Sequence, residues 1–518
     1  MSKDLIIGID AGTSVIKAIA FGLSGEQIAV AAVPNRYATG AGGAATQPLD
    51  QTWNDCALSL QKLAEAVPEL ASRAIAVAVT GQGDGTWLIN NDGAPVGDAW
   101  LWLDARAGQT AETLRGRAED DARFVRTGTG LNACQQGAQL AHMRACDADR
   151  LDQATTAFHC KDWLYFNLTG VRATDPSEAC FTFGDFQTRA YADDVIAFYD
   201  LGKHASLLPP ICDGTSTHHP LSKSAAMQTG LLEGTPIVLG FVDVVSSALG
   251  AGAYEPKASV GCTIVGTTGV HIRAAHASDI VLNTDLKSGY VMLMPIPGVA
   301  AQLQSNMAGT LNLDWVLGLA HQVATSLETD VEKDQLLSLV DEWIASTPPA
   351  SLLYHPYISD AGERGPFIDH TARASLVGLN ANHGFGDLVR ATMEGLGFAA
   401  RDCYGAMGQL PGEVRLTGGA ARSKGLRDIH GATLGAPVRQ SMREEAGAAG
   451  AAMVAAVSLG VYDTMESCLT DWVTPLLCAP ETPDPQLVET YTSLFSNYVA
   501  TREALQPIWH ALASRKDI

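Results

Sequence analysis

The sequence lacks the patterns that mark most metal-binding, disulfide-linked and membrane proteins. None of its ten cysteines forms a Cys-x-x-Cys pair, and its thirteen histidines include no His-Glu-x-x-His spacing. We therefore predict reduced thiols and no structural metal site. The small apolar residues at 446–460 are predicted to form a buried helix rather than a membrane span. The first residues lack the apolar core of a secretory signal, which favours a cytoplasmic protein.

Basic residues are scarce. The 34 lysines and arginines are outnumbered by 56 acidic residues, which leaves a net charge of −22. Nucleic acid and anionic membrane surfaces are therefore excluded as partners. Any anionic ligand must be bound by donors placed next to it, because the overall field repels it. With 518 residues, of which 47% are hydrophobic, the chain is long enough for two globular domains.

Short apolar runs open the chain. One covers residues 5–9, and two more follow at 15–21 and 27–33, which predicts a β-meander. Helical spacing at 53–66 and a buried strand at 74–79 come next. This mixture indicates the α/β class.

A strand–turn–strand pattern occurs twice, roughly half a chain apart. Asp10 ends the first strand, before a Gly-Thr-Ser turn, and the apolar run at 262–265 precedes a Gly-Thr-Thr-Gly turn. The repeat predicts two related domains, residues 1–247 and 248–518, each offering a hairpin turn to a shared cleft. Chance similarity is the alternative, since such turns are common between strands.

The first turn has the residues of a phosphate-binding loop. Gly12 lets backbone N–H groups approach a phosphate closely, Thr13 and Ser14 add hydroxyl donors, and Lys17 adds a positive charge. Asp10 would repel a phosphate, so we predict that it holds Mg²⁺ beside the β- and γ-phosphates. A plain hairpin turn is the alternative.

Asp243 ends an apolar run and opens a stretch of small residues typical of a helix. We predict that it contacts the acceptor and removes the proton of its hydroxyl group. The alternative is a helix N-cap. A helix N-terminus favours the ionised carboxylate, so we expect a low pKa. A weak base still serves phosphoryl transfer when the hydroxyl proton leaves late.

Polar and aromatic residues that suit a polyol follow the strand at 74–79. A polyol needs acceptors for its hydroxyl protons and an apolar wall for its C–H face. Gln82, Asp84 and Asp104 are predicted to supply the acceptors, and Trp102 the wall. The alternative is a loop of solvated acids in which Arg106 simply pairs with Asp104.

The ordered set of motifs resembles the FGGY family of carbohydrate kinases, a branch of the actin-like and hexokinase-like ATPases. The resemblance runs over nearly the whole chain. The segments that carry it are Ile7-Gly-Ile-Asp10-Ala-Gly-Thr-Ser, Thr80-Gly-Gln-Gly-Asp84-Gly, Leu101-Trp-Leu-Asp104-Ala-Arg106, Lys161-Asp162-Trp163-Leu, Asp243-Val-Val-Ser-Ser-Ala-Leu-Gly, Val265-Gly-Thr-Thr-Gly269, Gly362-Glu-Arg364 and Leu416-Thr-Gly-Gly419-Ala-Ala-Arg-Ser423.

The resemblance implies two ribonuclease-H-like domains with Mg-ATP in the cleft between them. The N-terminal domain would bind the acceptor and the C-terminal domain the nucleotide. Asp243 becomes the base and Asp10 the residue associated with Mg²⁺. The positions that would contact the phosphates are Gly266, Thr267, Thr268 and Gly269, and those on the adenosine side are Gly309, Asp314, Gly419 and Ser423.

Departures from the family's patterns bear on the acceptor. Gly83-Asp84 replaces the Met-His pair of ketopentose-type members, and Val244 follows the base where Asn or Gln is usual. The chain is most similar to the members that act on erythritol. We therefore expect ATP-dependent phosphorylation of a terminal hydroxyl of erythritol, by a protein that could be a homodimer. Kinases for xylulose, xylitol or threitol are the alternative, ahead of an actin-like ATPase or a sugar sensor.

Overall fold

The computed structural model describes residues 3–329 and 331–514. The N-terminal half contains strands β1–β13 and helices α1–α11. The strands are Leu5–Ala11, Val15–Gly22, Gln27–Pro34, Ala38–Thr39, Ala45–Gln47, Ala74–Gly81, Trp87–Ile89, Ala99–Trp100, Thr156–Phe158, Gly184–Asp185, Ala190–Tyr191, His219–Pro220 and Pro236–Leu239. The helices are Leu49–Ala66, Leu70–Arg73, Gly108–Arg115, Asp120–Thr127, Gln136–Cys146, Ala148–Gln153, Cys160–Thr169, Pro176–Phe183, Asp193–Phe198, Lys223–Thr229 and Asp243–Ala251.

The C-terminal half contains strands β14–β21 and helices α12–α19. The strands are Val260–Val265, Gly269–His276, Tyr290–Leu293, Val299–Asn306, Leu353–His355, Ser375–Val377, Glu413–Thr417 and Val438–Gln440. The helices are Leu311–Ser326, Lys333–Ser338, Val340–Ser346, Phe385–Ala406, Lys424–Leu434, Ala446–Ser458, Met465–Trp472 and Pro485–Ala513. No helix in the described ranges has the length and hydropathy needed to cross a membrane.

Two six-stranded sheets share the topology of five of their strands, and each has its sixth strand at a different edge, β12 beside β13 in the first sheet and β16 beside β17 in the second. The first has the order β12-β13-β6-β1-β2-β3 and the second β16-β17-β15-β14-β20-β21. In each, an antiparallel hairpin (β1–β2 or β14–β15) leads to parallel strands, β6 and β13 or β20 and β21. The predicted β-meander is confirmed as β1–β3. The strand order is that expected of two ribonuclease-H-like domains, and the repeated strand–turn–strand pattern has the same place in both sheets.

Helix α1 packs on one face of the first sheet, and α11 and α17 lie on the opposite side, between the two sheets. Trp53 and Leu60 of α1 share a core with the strands. The central core joins Val245 of α11, Ala452 of α17 and Cys262 of β14. The predicted buried helix at 446–460 is confirmed as α17. Although it lies in the C-terminal half of the sequence, it packs against β1 and β6.

Helices α11 and α17 cross at backbone distance. A Cβ built on Gly450 would overlap the carbonyl oxygen of Ser246, and one built on Gly250 would overlap that of Ala446. Only glycine permits this approach at the two positions. The crossing places the first residues of both helices, Asp243 and Ala446, at the edge where β1 and β14 end.

Candidate functional site

The two hairpin turns are held rigidly at the carboxyl ends of β1 and β14. Beside the first turn, Trp102 Nε1 donates to Thr13 Oγ1 at 2.8 Å, and Thr13 donates to Gln82 Oε1 at 3.0 Å. Gln82 in turn donates to Gln47 Oε1 at 2.9 Å. On the far side of the turn, Asn35 Nδ2 donates to the carbonyl oxygen of Gly12 at 2.8 Å. These amides fix the backbone of the turn.

The second turn is fixed by the segment that leads into α12. The Gly309 N–H donates to the Thr267 carbonyl at 2.7 Å, and the Thr310 N–H donates to that of Gly266 at 2.8 Å. A Cβ on Gly309 would lie 2.5 Å from the Gly266 oxygen and 2.8 Å from that of Thr268. Glycine at 309 therefore lets α12 begin directly against the turn.

A cavity of about 570 Å³ opens between the two halves, on the side of Asp10. Its polar wall suits a phosphorylated nucleotide because backbone and basic groups face it. Gly418, with φ of 94°, adopts a backbone conformation that favours glycine and ends β20 against the cavity. The residues that line it are Asp10, Lys17, Ser247, Ile264, Thr417, Gly418, Gly419, Arg422, Gln440, Ser441, Met442, Arg443, Glu444, Glu445, Ala446 and Gly447.

Asp10 lies at the base of this cavity, beside α17. Gly447 packs directly on its carboxylate, because a Cβ there would overlap Oδ2. Burial and the nearby Glu445 raise the pKa of Asp10 to about 6, against the opposing effect of Lys17. In the described residues no group of three His, Cys, Asp or Glu is placed to hold a metal. A cation at Asp10 would therefore take its other ligands from phosphate and water, as Mg²⁺ commonly does.

Three predicted nucleotide-binding residues have different surroundings from those expected. Lys17 lines the cavity, but Glu445 holds its Nζ at 2.8 Å, so its charge is already compensated. Ser423 does not line the cavity. Its Oγ accepts from the Leu426 N–H and donates to Asp341, which makes it the N-cap of α16. Asp314 is exposed on α12, away from the cavity wall.

A second cavity, of about 320 Å³, lies on the other side of the turns and contains Asp243. It combines carboxylates and hydroxyls with an apolar wall, the chemistry a polyol requires. Thr13 and Thr268, one from each turn, both face it. The residues that line it are Thr13, Gly83, Asp84, Trp102, Phe181, Val242, Asp243, Val244, Thr268, Val270, Tyr290, Met292, Leu303, Ser305 and Arg364.

Asp84 occupies this second cavity in a strained backbone conformation. Its φ of 55° is rare for a residue other than glycine, and such strain concentrates at functional sites. Cys134 Sγ donates to Oδ2 at 3.3 Å, and Oδ1 has no hydrogen-bond partner among the described residues. Burial raises the pKa of Asp84, against opposing effects of Cys134, His159 and Arg364. Asp84 lines the cavity, so a small movement of its carboxylate would let it accept a hydroxyl of a ligand.

Arg364 reaches the same cavity from the C-terminal half. Its Nη2 donates to Ser305 Oγ at 2.9 Å, and its Nε has no partner among the described residues. The segment ending at Arg364 carries the family resemblance, but its sequence predicts no role for this residue. Tyr290 and Ser305 were not predictable either, because the strands that carry them, β16 and β17, have no motif that marks a site.

The structure corrects two of the predicted acceptor ligands. Asp104 is buried, and Arg106 and the Ala45 N–H occupy its carboxylate at 2.6–3.0 Å. The alternative considered from the sequence, that Arg106 pairs with Asp104, describes it better. Gln82 is also buried, and its amide is used between Thr13 and Gln47 rather than facing the cavity. Of the predicted acceptor ligands, Asp84, Trp102 and Asp243 do line the cavity.

Asp243 is the first residue of α11, and the expectation of a low pKa is wrong. Its Oδ1 accepts the N–H of Val244 at 2.7 Å, which favours the ionised form as expected. Burial outweighs this, and the charges of Asp10, Glu178 and Asp84 add to it, so the pKa rises to about 8. Burial, followed by the charges of three other carboxylates, therefore outweighs the effect of the helix N-terminus on this pKa.

The raised pKa predicts how stability depends on pH. A carboxyl whose pKa is higher in the folded state stabilises the protein below its unfolded pKa, and this contribution is lost as pH rises through the folded value of about 8. Asp243→Asn keeps the hydrogen bond to Val244 without the charge. We expect it to raise the melting temperature of the ligand-free protein at pH 8 by about 1–3 °C, and to change it less at pH 5. Differential scanning fluorimetry at both pH values measures this, and an equal shift at both would contradict it.

Comparisons with known proteins decide the family. Residues 5–250 match the N-terminal domain of the FGGY family of carbohydrate kinases, and residues 261–459 match its C-terminal domain. The chain belongs to this family. It is 55% identical over 513 residues to the erythritol kinase of Brucella abortus, covering 99% of this chain and 98% of that protein.

More distant relatives have the same fold. The xylulose kinase of Bacillus subtilis is 26% identical over 517 residues, covering 95% of each chain. The crystal structure of xylulose kinase from Rhodospirillum rubrum superposes with a TM-score of 0.87 at 26% identity, covering 98% of this chain and 100% of that one. The FGGY family membership and the α/β fold inferred from the sequence are both confirmed.

Proposed function

We propose that this chain is an erythritol kinase, which transfers the γ-phosphoryl group of ATP to a terminal hydroxyl of erythritol. The observation that carries the proposal is the 55% identity with an erythritol kinase over nearly the whole chain. The cavity around Asp243 supports it, since Asp84 and the nearby hydroxyls offer acceptors to a small neutral polyol.

We assign the acceptor and the nucleotide to different cavities. The acceptor binds beside Asp84, Trp102 and Asp243, and the nucleotide binds beside Lys17 and Gly419. Its phosphates reach the acceptor between the two hairpin turns. A Mg²⁺ ion held at Asp10 would offset the charge of the phosphates when bound.

In the transfer, the acceptor oxygen forms a bond to the γ-phosphorus, and the bond from that phosphorus to the β–γ bridging oxygen breaks. ADP leaves with the bonding electron pair. The hydroxyl proton passes to the Asp243 carboxylate, which must be ionised to accept it. Thr13 and Thr268, one from each hairpin turn, line the cavity in which the proposed transfer takes place.

A substrate panel tests the proposal. Erythritol, threitol, xylitol, glycerol, ribulose and xylulose are each offered with Mg-ATP, and ADP release is followed with a coupled enzyme assay. We expect erythritol to have the highest kcat/KM. Faster turnover of a ketopentose than of either tetritol would favour the runner-up, a xylulose-type kinase, which the B. subtilis relative makes the natural second candidate.

Asp84 is predicted to bind the acceptor. Asp84→Ala removes a carboxylate from the cavity wall. We therefore expect the KM for erythritol to rise by about 10- to 100-fold, which corresponds to the loss of one or two hydrogen bonds to a charged group. The KM for ATP should stay within about twofold, since Asp84 does not line the nucleotide cavity. Steady-state kinetics with each substrate varied in turn measures both. A matched rise in both KM values would contradict the assignment.

A further inference from the structure

A ring of buried charges lies where α7 and α8 begin, outside both cavities. Lys161 Nζ lies 2.7 Å from Asp162 Oδ1 and 2.6 Å from Asp175 Oδ1. His159 Nδ1 lies 3.2 Å from Asp162, and its Nε2 lies 3.5 Å from Glu178. All five side chains are at most 4% exposed. The Lys161-Asp162 pair belongs to a segment that carried the family resemblance without a role.

Stability alone is a poor explanation for this ring. Removing charges from water costs several kcal/mol per ion, and buried ion pairs often stabilise a fold no better than apolar residues of the same size. Burial alone would lower the pKa of His159, but Glu178 and Asp162 raise it. Burial raises the pKa of Glu178 to about 7, and both of its oxygens lack a hydrogen-bond partner among the described residues. We therefore expect these buried charges to have a role other than stability.

The ring connects to the base through Ser177. Asp175 is the N-cap of α8 and accepts the Ser177 N–H at 2.7 Å and also its hydroxyl. Ser177 Oγ accepts the N–H of Val242 at 3.0 Å. Val242 immediately precedes Asp243. A series of contacts thus runs from the Lys161–Asp175 ion pair, through the hydrogen bonds of Ser177, to the backbone beside the base.

Two further hydroxyls hold the same irregular segment between β13 and α11. The carbonyl oxygen of Phe241 accepts from Thr80 Oγ1 at 2.6 Å and from Ser246 Oγ at 3.0 Å. Residues 241 and 242 are therefore tied to β6, α8 and α11. Only Ser177 among the three hydroxyls is backed by buried charges, which fix the orientation of its own hydrogen.

We propose that Ser177, backed by Asp175 and Lys161, is a positioning residue that sets the backbone at Val242 and thereby aims the Asp243 carboxylate at the acceptor hydroxyl. The role rests on the proposed function only in taking Asp243 as the base. It is independent of which polyol or sugar is phosphorylated.

Ser177→Ala tests the role. The variant leaves the Val242 N–H unpaired and lets the segment between β13 and α11 relax. We therefore expect kcat to fall by about 10- to 100-fold, since misplacement by about 1 Å can cost that much. The KM for ATP should stay within about twofold, because the nucleotide cavity is untouched. In an Asp243→Asn background, Ser177→Ala should cause no further loss, since a residue that acts through the base has nothing left to aim.

Three variants separate positioning from folding. Ser59→Ala removes a buried hydroxyl of α1 that donates to the Cys56 carbonyl at 2.7 Å and does not contact the segment between β13 and α11. It should lower the melting temperature without lowering kcat. Ser177→Thr keeps the hydroxyl and should recover most of kcat. Asp175→Asn keeps the helix cap but removes the charge, so its kcat should lie between those of the wild type and Ser177→Ala. It replaces Ser177→Ala as the test if that variant fails to fold.

The outcomes distinguish this role from the proposed function. A kcat of Ser177→Ala within about twofold of the wild type, or a loss that adds fully to that of Asp243→Asn, would overturn the positioning role. Wild-type protein that phosphorylates none of the polyols or sugars would refute the proposed function instead. If the wild type prefers another acceptor, the same series is measured with that acceptor.

Discussion

Asp243→Asn is expected to lower kcat for polyol phosphorylation by about 10²- to 10⁴-fold, the range that a positioned general base contributes. Asparagine keeps the hydrogen bond from the Val244 N–H but cannot accept the acceptor's proton. ATP binding should change by no more than about twofold, because Asp243 lies in the second cavity and not in the one beside Asp10. Coupled ADP release measures the first quantity, and isothermal titration calorimetry with ATP measures the second.

A matched control is available on the surface. Asp193, like Asp243, is the first residue of a helix that lacks a side-chain cap, but it is exposed on α9. Asp193→Asn should leave kcat unchanged, which shows that loss of a carboxylate at a helix start has no general effect. If Asp243→Asn retained more than about a tenth of the wild-type kcat, another group would have to take the proton, and the base would need reassignment.

Much of the fold could be predicted because it depends on local patterns. An apolar run that ends at Asp10 is followed by a Gly/Thr turn and a second apolar run, and the same order recurs around Gly266. Each therefore specifies an antiparallel hairpin by itself. The helix at Ala446–Ser458 was also recognisable, since small apolar residues without charges indicate close packing. Its partners were not predictable, because packing against β1 and β6 joins residues roughly 370 to 440 positions apart.

The candidate site was predictable in part for a similar reason. Asp10 lies near the end of β1, and Asp243 follows the apolar strand β13 after a short segment, so the chain itself indicates that both lie at a sheet edge. Arg364 lies in an irregular segment and reaches the acceptor cavity only through tertiary structure. The prediction of a low pKa for Asp243 was wrong for the same reason. The helix start could be read locally, whereas Asp10, Glu178 and Asp84, which raise the pKa, come from three distant parts of the chain.

The second large effect is expected at the crossing of α11 and α17. In Gly450→Ala, the added methyl group would lie 2.0 Å from the Ser246 carbonyl oxygen. The two helices must therefore move apart. Overpacking of this kind costs on the order of 3 kcal/mol, and Gly450→Val should cost more. Chemical denaturation of the ligand-free protein measures the loss. As a control, Gly318→Ala lies within α12 with open space at its Cβ, and should stabilise the protein by about 0.5–1 kcal/mol.

The kcat per folded molecule should also fall, because each of the two helices positions one part of the site. α11 begins at Asp243, and Gly447 at the start of α17 packs on the Asp10 carboxylate. Separating the helices therefore moves the proposed base relative to the proposed Mg²⁺ ligand. We expect the fraction of Gly450→Ala that remains folded at 20 °C to have a kcat about tenfold below that of the wild type or lower. A wild-type kcat per folded molecule would mean that the crossing supports the fold alone and that the geometry between Asp10 and Asp243 is set elsewhere.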